Sequence, residues 1–518
     1  MEIKGQISEI IYQNEINSYT IAEFETEEEL TVIVGYLPFI NKGDSLKLVG
    51  NFINHPDYGR QFKIQTFEKI MPETLEALEK YLSGGIIKGV GPATAKRIVD
   101  KFGEKVGEIA ENDPVKARKL LLAGYRLQEK RLALFPDRKL PMSGQYVAKI
   151  VMNNIIQALA KPENAAMVSI FVPGELLTAA GLTPYSVEAL SCFIAGTKCE
   201  QAFLRQTEKE GFPETMCSYH RVFLGAALNG IVPKPKCMVY TNLACDGNMM
   251  TFPYLKERYE IPSFYIDVPY EKNYDSVMYV AKQLRELKSF LQDVTGREIT
   301  EESVKKAVDK SKIASNNYYR QLHLRKGHDI ASTLTNELYA LFMCHLLAGT
   351  DESVRYTQLL RDDVRRAPAG DGFHVLWMHT MPFLQDAVKD VFNYSDTIHI
   401  SASDFIADGF RSMESDDPYE ALAEKMVYCI YNGSVNQRIE EAKELADTVG
   451  ADGAVLFAHW GCKNTIGASS LIKRSLEREG LPTMVLDGDG CNPANASDGQ
   501  ISTRLQAFVE MLTEQERN

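Results

Sequence analysis

Several features that mark common protein classes are missing from this sequence of 518 residues. No positively charged segment followed by an apolar one indicates a secretion signal, and no apolar run approaches the ~18–20 residues that span a bilayer. We therefore expect a cytoplasmic protein without a membrane partner. A Gly-x-x-x-x-Gly-Lys-Ser/Thr phosphate loop is also absent, which excludes a P-loop motor.

Cysteine is missing from the first 190 residues, and no Cys-x-x-Cys pair occurs anywhere. All nine cysteines lie further along, and their odd number without a secretion signal argues against a disulfide framework. The lack of close pairs argues against a structural zinc site. With 45% hydrophobic and 25% charged residues the composition is globular. The net charge of -13 excludes a surface that is basic throughout but allows a local basic patch.

The N-terminal part alternates apolar and polar residues in five short runs within residues 1–72, which predicts a small closed β-barrel of the OB type. Residues 73–139 change to a helical pattern with a Gly-Val-Gly-Pro turn, which is typical of a helix-hairpin-helix and its linker. Between positions 88 and 139 there are thirteen Lys or Arg residues and only seven Asp or Glu residues. Glycines and a helix N-terminus can approach a phosphate, so the candidate nucleic-acid contacts are Lys88, Gly89, Gly91, Lys96 and Arg97. A solvated helical face is the alternative.

Residues 1–112 resemble the N-terminal region of bacterial RecD-type DNA helicases, both in the strands and in Gly-Val-Gly-Pro-Ala-Thr-Ala-Lys-Arg-Ile. Because the motor is absent, this resemblance implies at most a nucleic-acid-binding appendage. The basic surplus is small and easily screened by salt, so we expect weak binding.

From residue 140 onward short apolar strands alternate with amphipathic helices. Runs such as Met167–Val172 and Ala454–Ala458 predict strands, and a long helical zone begins at Tyr274. The pattern predicts an α/β fold of two parallel-sheet, Rossmann- or flavodoxin-like lobes, one over residues 140–347 and one over 348–518. Ligands of such sheets lie at the carboxyl ends of the strands.

Three cysteines lie where loops of these lobes can meet, namely Cys217, Cys245 and Cys462. Cys245 and Cys462 each follow a predicted strand, and Cys217 precedes a predicted helix. Thiolates are the ligands that hold iron–sulfur clusters. Three of them leave one iron of a [4Fe–4S] cluster without protein sulfur. Zinc binding and unrelated buried cysteines are the alternatives.

From about residue 140 to the end the sequence resembles the 2-hydroxyacyl-CoA dehydratase family, which includes the D-components of 2-hydroxyglutaryl-CoA dehydratase and relatives in benzoyl-CoA reductase. The matching motifs occur in the family's order. They are Pro173-Gly174-Glu175-Leu176-Leu177, Cys217-Ser218-x-x-Arg221, Thr241-Asn242-x-x-Cys245-Asp246, Gly461-Cys462 and Leu486-Asp487-Gly488-Asp489-Gly490.

This resemblance implies that Cys217, Cys245 and Cys462 hold a [4Fe–4S] cluster. It further implies an acyl-CoA substrate, a second dehydratase-type subunit or a homodimer, and an ATP-dependent iron–sulfur activator protein. The chemistry implied is one-electron reduction of the thioester to a ketyl radical, which lets the 2-hydroxyl leave. A cofactor must carry this step because the β-hydrogen of the substrate is not acidic. The acyl group itself is not indicated.

The catalytic candidates are His459, Arg221 and Glu175. His459 could pass a proton to departing hydroxide or be a packed histidine, Arg221 could contact a thioester or form an ordinary ion pair, and Glu175 could face the cleft. Cys429 and Cys491 match no ligand position, and their participation would indicate a larger double-cubane cluster. Two other functions stay open: an ATP-dependent reductase of the benzoyl-CoA reductase or double-cubane type, and a nucleic-acid-binding protein with a redox-sensing C-terminal region.

Overall fold

The computed structural model describes residues 1–13, 19–26, 29–37, 40, 42, 44–55, 59–70, 114–134, 137–197 and 199–515. The chain forms two compact units, Met1–Pro136 with Thr197–Ala202, and Asp137–Gly196 with Phe203–Asn518. The predicted helix-hairpin-helix contacts at positions 88, 89, 91, 96 and 97 lie outside the described residues. The domain boundaries predicted after residues 72, 139 and 347 stay predictions.

The first unit contains the predicted five-stranded closed barrel, with strand order β1-β2-β3-β5-β4. The strands are β1 (Glu2–Gln13), β2 (Tyr19–Thr26), β3 (Leu30–Tyr36), β4 (Ser45–His55) and β5 (Gly59–Ile70). Along β2 every second residue is buried, as strand periodicity requires. Phe24, Ile33, Leu48 and Phe62 belong to the resulting apolar core. Helix α1 (Pro114–Leu134) follows in the same unit.

The second unit contains two four-stranded sheets in which all paired strands are parallel. One has the order β7-β6-β8-β9, formed by β6 (Ala165–Val168), β7 (Thr183–Ser186), β8 (Cys237–Thr241) and β9 (Ser263–Ile266). The other has the order β11-β10-β12-β13, formed by β10 (Phe373–Met378), β11 (Ile398–Ser403), β12 (Gly453–His459) and β13 (Thr483–Gly488). The predicted pair of parallel-sheet lobes is therefore confirmed.

Helices connect these strands, and their bounds as the structure has them are α2 (Met142–Ala160), α3 (Gly174–Ala179), α4 (Val187–Ala195), α5 (Glu200–Lys209), α6 (Ser218–Leu228), α7 (Asn248–Tyr259), α8 (Tyr274–Thr295), α9 (Glu301–Leu322), α10 (Leu334–Leu346), α11 (Asp351–Arg366), α12 (Asp386–Phe392), α13 (Asp404–Gly409), α14 (Pro418–Val427), α15 (Val435–Val449), α16 (Lys463–Arg478) and α17 (Asp498–Gln515). Every residue of β8 and β12 is buried, as expected for central strands of sheets with helices on both faces. Among the helices of the described segments, none has the length and apolarity needed to cross a bilayer.

Candidate functional site

The three predicted cysteine ligands lie at turns that lead into helices of the second unit. Cys217 is the N-cap residue of α6 and Cys462 is the N-cap residue of α16. Cys245 follows β8 and lies two residues before Gly247, the N-cap of α7. Because the N-terminal end of a helix carries partial positive charge, this placement favours negative charge on the sulfurs.

All three cysteines line one cavity of about 150 Å³ between the two sheets. They are partly exposed, whereas the other six cysteines are buried. Gly461 allows the turns to meet, since a Cβ there would lie 2.8 Å from the Cα of Cys217, and its φ of 80° favours glycine. The structure thus brings together residues that are separated by more than 200 positions in sequence.

The thiols influence one another electrostatically. Burial raises the pKa of Cys217 well above its ordinary value, and the neighbouring Cys245 and Cys462 raise it further. Burial likewise raises the pKa of Cys245, with added contributions from Glu188 and Cys462. Three thiolates this close repel one another unless positive charge lies between them. The cavity is therefore suited to a metal ion or metal cluster.

Each cysteine sulfur also has a histidine beside it. The sulfur of Cys217 is 3.2 Å from Nε2 of His459, and that of Cys245 is 3.2 Å from Nε2 of His220. The sulfur of Cys462 is 3.6 Å from Nε2 of His379. All three imidazoles are buried, and burial lowers their pKa values, to about 3 for His220. The rings are therefore neutral at pH 7.

Glu188 on α4 is a buried carboxyl in the same cavity that the sequence analysis missed. Its side chain can meet those of His220 and Cys245, because one ligand atom from each lies within 4.8 Å of the others. Neither carboxyl oxygen has a hydrogen-bond partner among the described residues. Burial is the main cause that raises its pKa to about 7.

The raised pKa of Glu188 predicts a pH-dependent contribution to stability. The folded chain keeps a proton on Glu188 that the unfolded chain releases near pH 4.5. The contribution of this group to the free energy of unfolding is greatest below pH 4.5. It is lost as pH rises toward about 7, and the total loss is about 3 kcal/mol. In urea unfolding of the metal-free protein, Glu188→Gln should therefore gain stability relative to wild type between pH 5.5 and pH 8. The exposed Glu163→Gln is the matched control, and parallel pH curves for Glu188→Gln and wild type would contradict the prediction.

The other two catalytic candidates are absent from the residues that line the cavity. Arg221 is buried and pairs with Glu208, and its Nη1 donates to the Glu214 carbonyl at 3.3 Å. Glu175 is fully buried, accepts a hydrogen bond from Ser311 at 2.7 Å and lies 3.9 Å from Nζ of Lys425. These contacts hold helices together, so any catalytic part for either residue stays a prediction.

The two unassigned cysteines are also buried away from the cavity lining. Burial is the first cause that raises the pKa of Cys429 and of Cys491. The next contribution comes from Asp408 for Cys429 and from Cys192 for Cys491. Cys192 itself lines the cavity. Fully buried thiols of this kind behave as small apolar groups.

Backbone strain also concentrates at the cavity. Four residues other than glycine have a positive φ in the described part of the chain, and two of them, Ala244 and His379, line the cavity. Ala244 directly precedes Cys245. The N–H of His379 is held by Asp404 Oδ1 at 2.8 Å. A positive φ costs energy in residues other than glycine. Such conformations persist where surrounding contacts impose them, commonly at functional sites.

The chemistry of the donor set fits an iron–sulfur cluster. Three thiols line a cavity far larger than the ~10–15 Å³ needed by one water. Helix N-termini and histidines surround the sulfurs, and such groups stabilise a negatively charged cluster. Cys217, Cys245 and Cys462 are therefore the residues that would hold it.

Comparisons with known sequences agree with this architecture. Residues 169–512 match the family described as 2-hydroxyglutaryl-CoA dehydratase, D-component. Residues 1–72, which contain the barrel, match the OB-fold domain of the ATP-dependent DNA helicase YrrC.

Individual relatives are distant but cover most of the second unit. The (R)-phenyllactyl-CoA dehydratase alpha subunit of Clostridium sporogenes is 22% identical over 69% of this chain and 91% of its own length. The alpha subunit of lactoyl-CoA dehydratase from Anaerotignum propionicum is 22% identical over 69% and 92%. One subunit of the benzoyl-CoA reductase of Thauera aromatica is 22% identical over 68% and 90%. The family match spans more than half of the sequence, and the chain therefore belongs to the 2-hydroxyglutaryl-CoA dehydratase D-component family.

Proposed function

We propose that this chain is the iron–sulfur subunit of an enzyme that eliminates water from a 2-hydroxyacyl-CoA. Cys217, Cys245 and Cys462 are the ligands of a [4Fe–4S] cluster in this proposal. The observation that carries it is the convergence of three thiols from separate loops on one cavity, in a chain whose relatives include dehydratase subunits.

A cluster held by Cys217, Cys245 and Cys462 would supply one-electron transfer and Lewis acidity. The remaining steps fall to side chains of the chain itself. Burial raises the pKa of Glu188 to about 7, so near neutral pH this carboxyl can hold a proton and give it to an oxygen that leaves the substrate. Phe171, Phe405 and Tyr431 form an apolar wall of the cavity, which limits access of water.

The proposed enzyme has more than one component. Two of the relatives are named as alpha subunits of dehydratases, which supports a second subunit for this chain as well. We include an ATP-dependent activator protein as the electron source, because the chain has no phosphate loop of its own. Its acyl-CoA substrate would enter the cavity.

A reductase is the second candidate function. The benzoyl-CoA reductase relative matches this chain over nearly the same share of its length as the dehydratase subunits. The two functions differ in their products, since a dehydratase releases an enoyl thioester without net reduction and a reductase consumes electrons with every turnover.

Anaerobic purification and turnover test the proposal. We expect a brown protein with about four irons per chain that is bleached by oxygen. With activator and ATP, one of the 2-hydroxyglutaryl, phenyllactyl, lactyl or 2-hydroxyisocaproyl thioesters should be converted to its enoyl product. Reductant consumed in proportion to product would favour the reductase instead. A colourless protein that takes up no iron would contradict both.

A further inference from the structure

One histidine lies beside each of the three sulfurs proposed as cluster ligands, although the chain has only nine histidines. The three Nε2-to-sulfur distances are 3.2 Å from His459 to Cys217, 3.2 Å from His220 to Cys245 and 3.6 Å from His379 to Cys462. Each imidazole is at least nine-tenths buried. Three separate pairings of this kind go beyond incidental packing.

The pairings connect different loops. His220 lies three residues after Cys217 on α6, yet its ring contacts the sulfur of Cys245. His459 lies three residues before Cys462, yet its ring contacts the sulfur of Cys217. His379 follows β10 and contacts Cys462. Each cysteine turn is therefore tied to another part of the site by an imidazole.

The protonation of His459 follows from its partners. The N–H of Gly490 donates to Nδ1 of His459 at 3.1 Å, so Nδ1 carries a lone pair. With a lone pair on Nδ1, the ring carries its proton on Nε2, which donates to the sulfur of Cys217 at 3.2 Å.

His220 is oriented in a comparable way. Its Nδ1 lies 2.8 Å from the hydroxyl of Thr251, which can donate and so leave the ring proton on Nε2. Gly247 makes room for the ring, since a Cβ there would lie 2.6 Å from Cδ2 of His220. Gly247, two residues after Cys245, therefore leaves space for the histidine that contacts this cysteine.

We propose that His459 and His220 are positioning residues that hold the sulfurs of Cys217 and Cys245 and make the bound cluster easier to reduce. The inference rests on the proposed function, because it concerns the same ligands. An N–H aimed at a ligand sulfur withdraws charge from it and favours the more negative, reduced state. Each histidine contact also fixes the cysteine side chain before iron binds, so less ordering of that side chain is needed when the cluster forms.

The test uses the full chain, loaded with cluster under anaerobic conditions, and measures iron content and reduction potential. His459→Phe and His220→Phe keep a planar ring but remove the N–H. His459→Gln and His220→Gln keep an N–H near the position of Nε2. His374→Phe is the control, because His374 is also buried in the second unit but contacts Ser401 and Asp329 instead of a cysteine.

We expect each Phe variant to hold less reduced cluster at a given applied potential, by about tenfold in the ratio of reduced to oxidised form, which is about 59 mV for one electron. The Gln variants should lie near wild type, and the His374 variant should not shift. Loss of iron from a Phe variant with retention in its Gln counterpart also supports the positioning role.

Three results would overturn the inference. An iron-loaded Phe variant with the wild-type potential would overturn it and leave the proposed function intact. Gln variants that behave as the Phe variants do, in potential or in iron loss, would show that the N–H is not the relevant group. A wild-type chain that takes up no iron would overturn both proposals together.

Discussion

Replacing Cys245 with serine should reduce iron from about four per chain to less than about one after anaerobic loading. In the proposed cluster site, the hydroxyl of serine is a poor ligand for iron, and the two remaining thiols cannot hold the cluster against oxidation and exchange. Dehydratase turnover should fall by more than the ~10–100-fold expected for a residue that merely supports a ligand. Iron analysis, the visible spectrum and turnover measure this directly.

Cys237→Ala provides the matched control for the serine variant. Cys237 opens β8, the strand that leads to Cys245, but it is fully buried and absent from the cavity lining. Its variant should keep wild-type iron and colour. Full iron in Cys245→Ser, or equal iron loss in Cys237→Ala, would remove the basis for assigning the ligands.

The sequence predicted the parts of this fold that depend on local pattern. Alternation gave the barrel strands, and apolar runs bounded by turns gave the parallel strands, although the run at Met167–Val172 forms a strand only over Ala165–Val168. The positions of two cysteine turns were predictable because Cys245 and Cys462 each follow a predicted strand. Ligands of parallel sheets lie at the carboxyl ends of the strands. The meeting of the cysteine turns depends on Gly461, where the close approach could only be seen in three dimensions.

The missed residues are those whose meaning comes from distant partners. Glu188 lies in the first turn of α4, where an acidic residue ordinarily needs no explanation, and only burial makes it unusual. Cys217-x-x-His220 and His459-x-x-Cys462 are spacings that could have drawn attention to two of the histidines. His379 has no local signal, because its position depends on a positive φ held by Asp404.

Arg438 on α15 forms a buried ion pair with Asp404, the residue that holds the backbone of His379. Its Nε and Nη2 donate to Oδ2 of Asp404 at 3.1 and 3.0 Å, and both side chains are nearly inaccessible to solvent. The guanidinium also lies 4.4 Å from the centre of the Tyr431 ring. Through Oδ1, Asp404 holds the N–H of His379, so the pair connects to the cysteine cavity.

Arg438→Met should therefore destabilise the second unit by about 3–5 kcal/mol, because it leaves the Asp404 carboxylate buried without a counter-charge. Urea unfolding followed by tryptophan fluorescence measures this, since Trp377 is buried in β10 of the same unit. Adding Asp404→Asn should recover most of the loss, because the amide oxygen can still accept from His379 and carries no charge. Lys443 lies on the same helix as Arg438 and forms an exposed pair with Glu479. Lys443→Met should therefore change the stability little. If Arg438→Met were as stable as the Lys443 variant, the ion pair could not be what holds His379 beside Cys462.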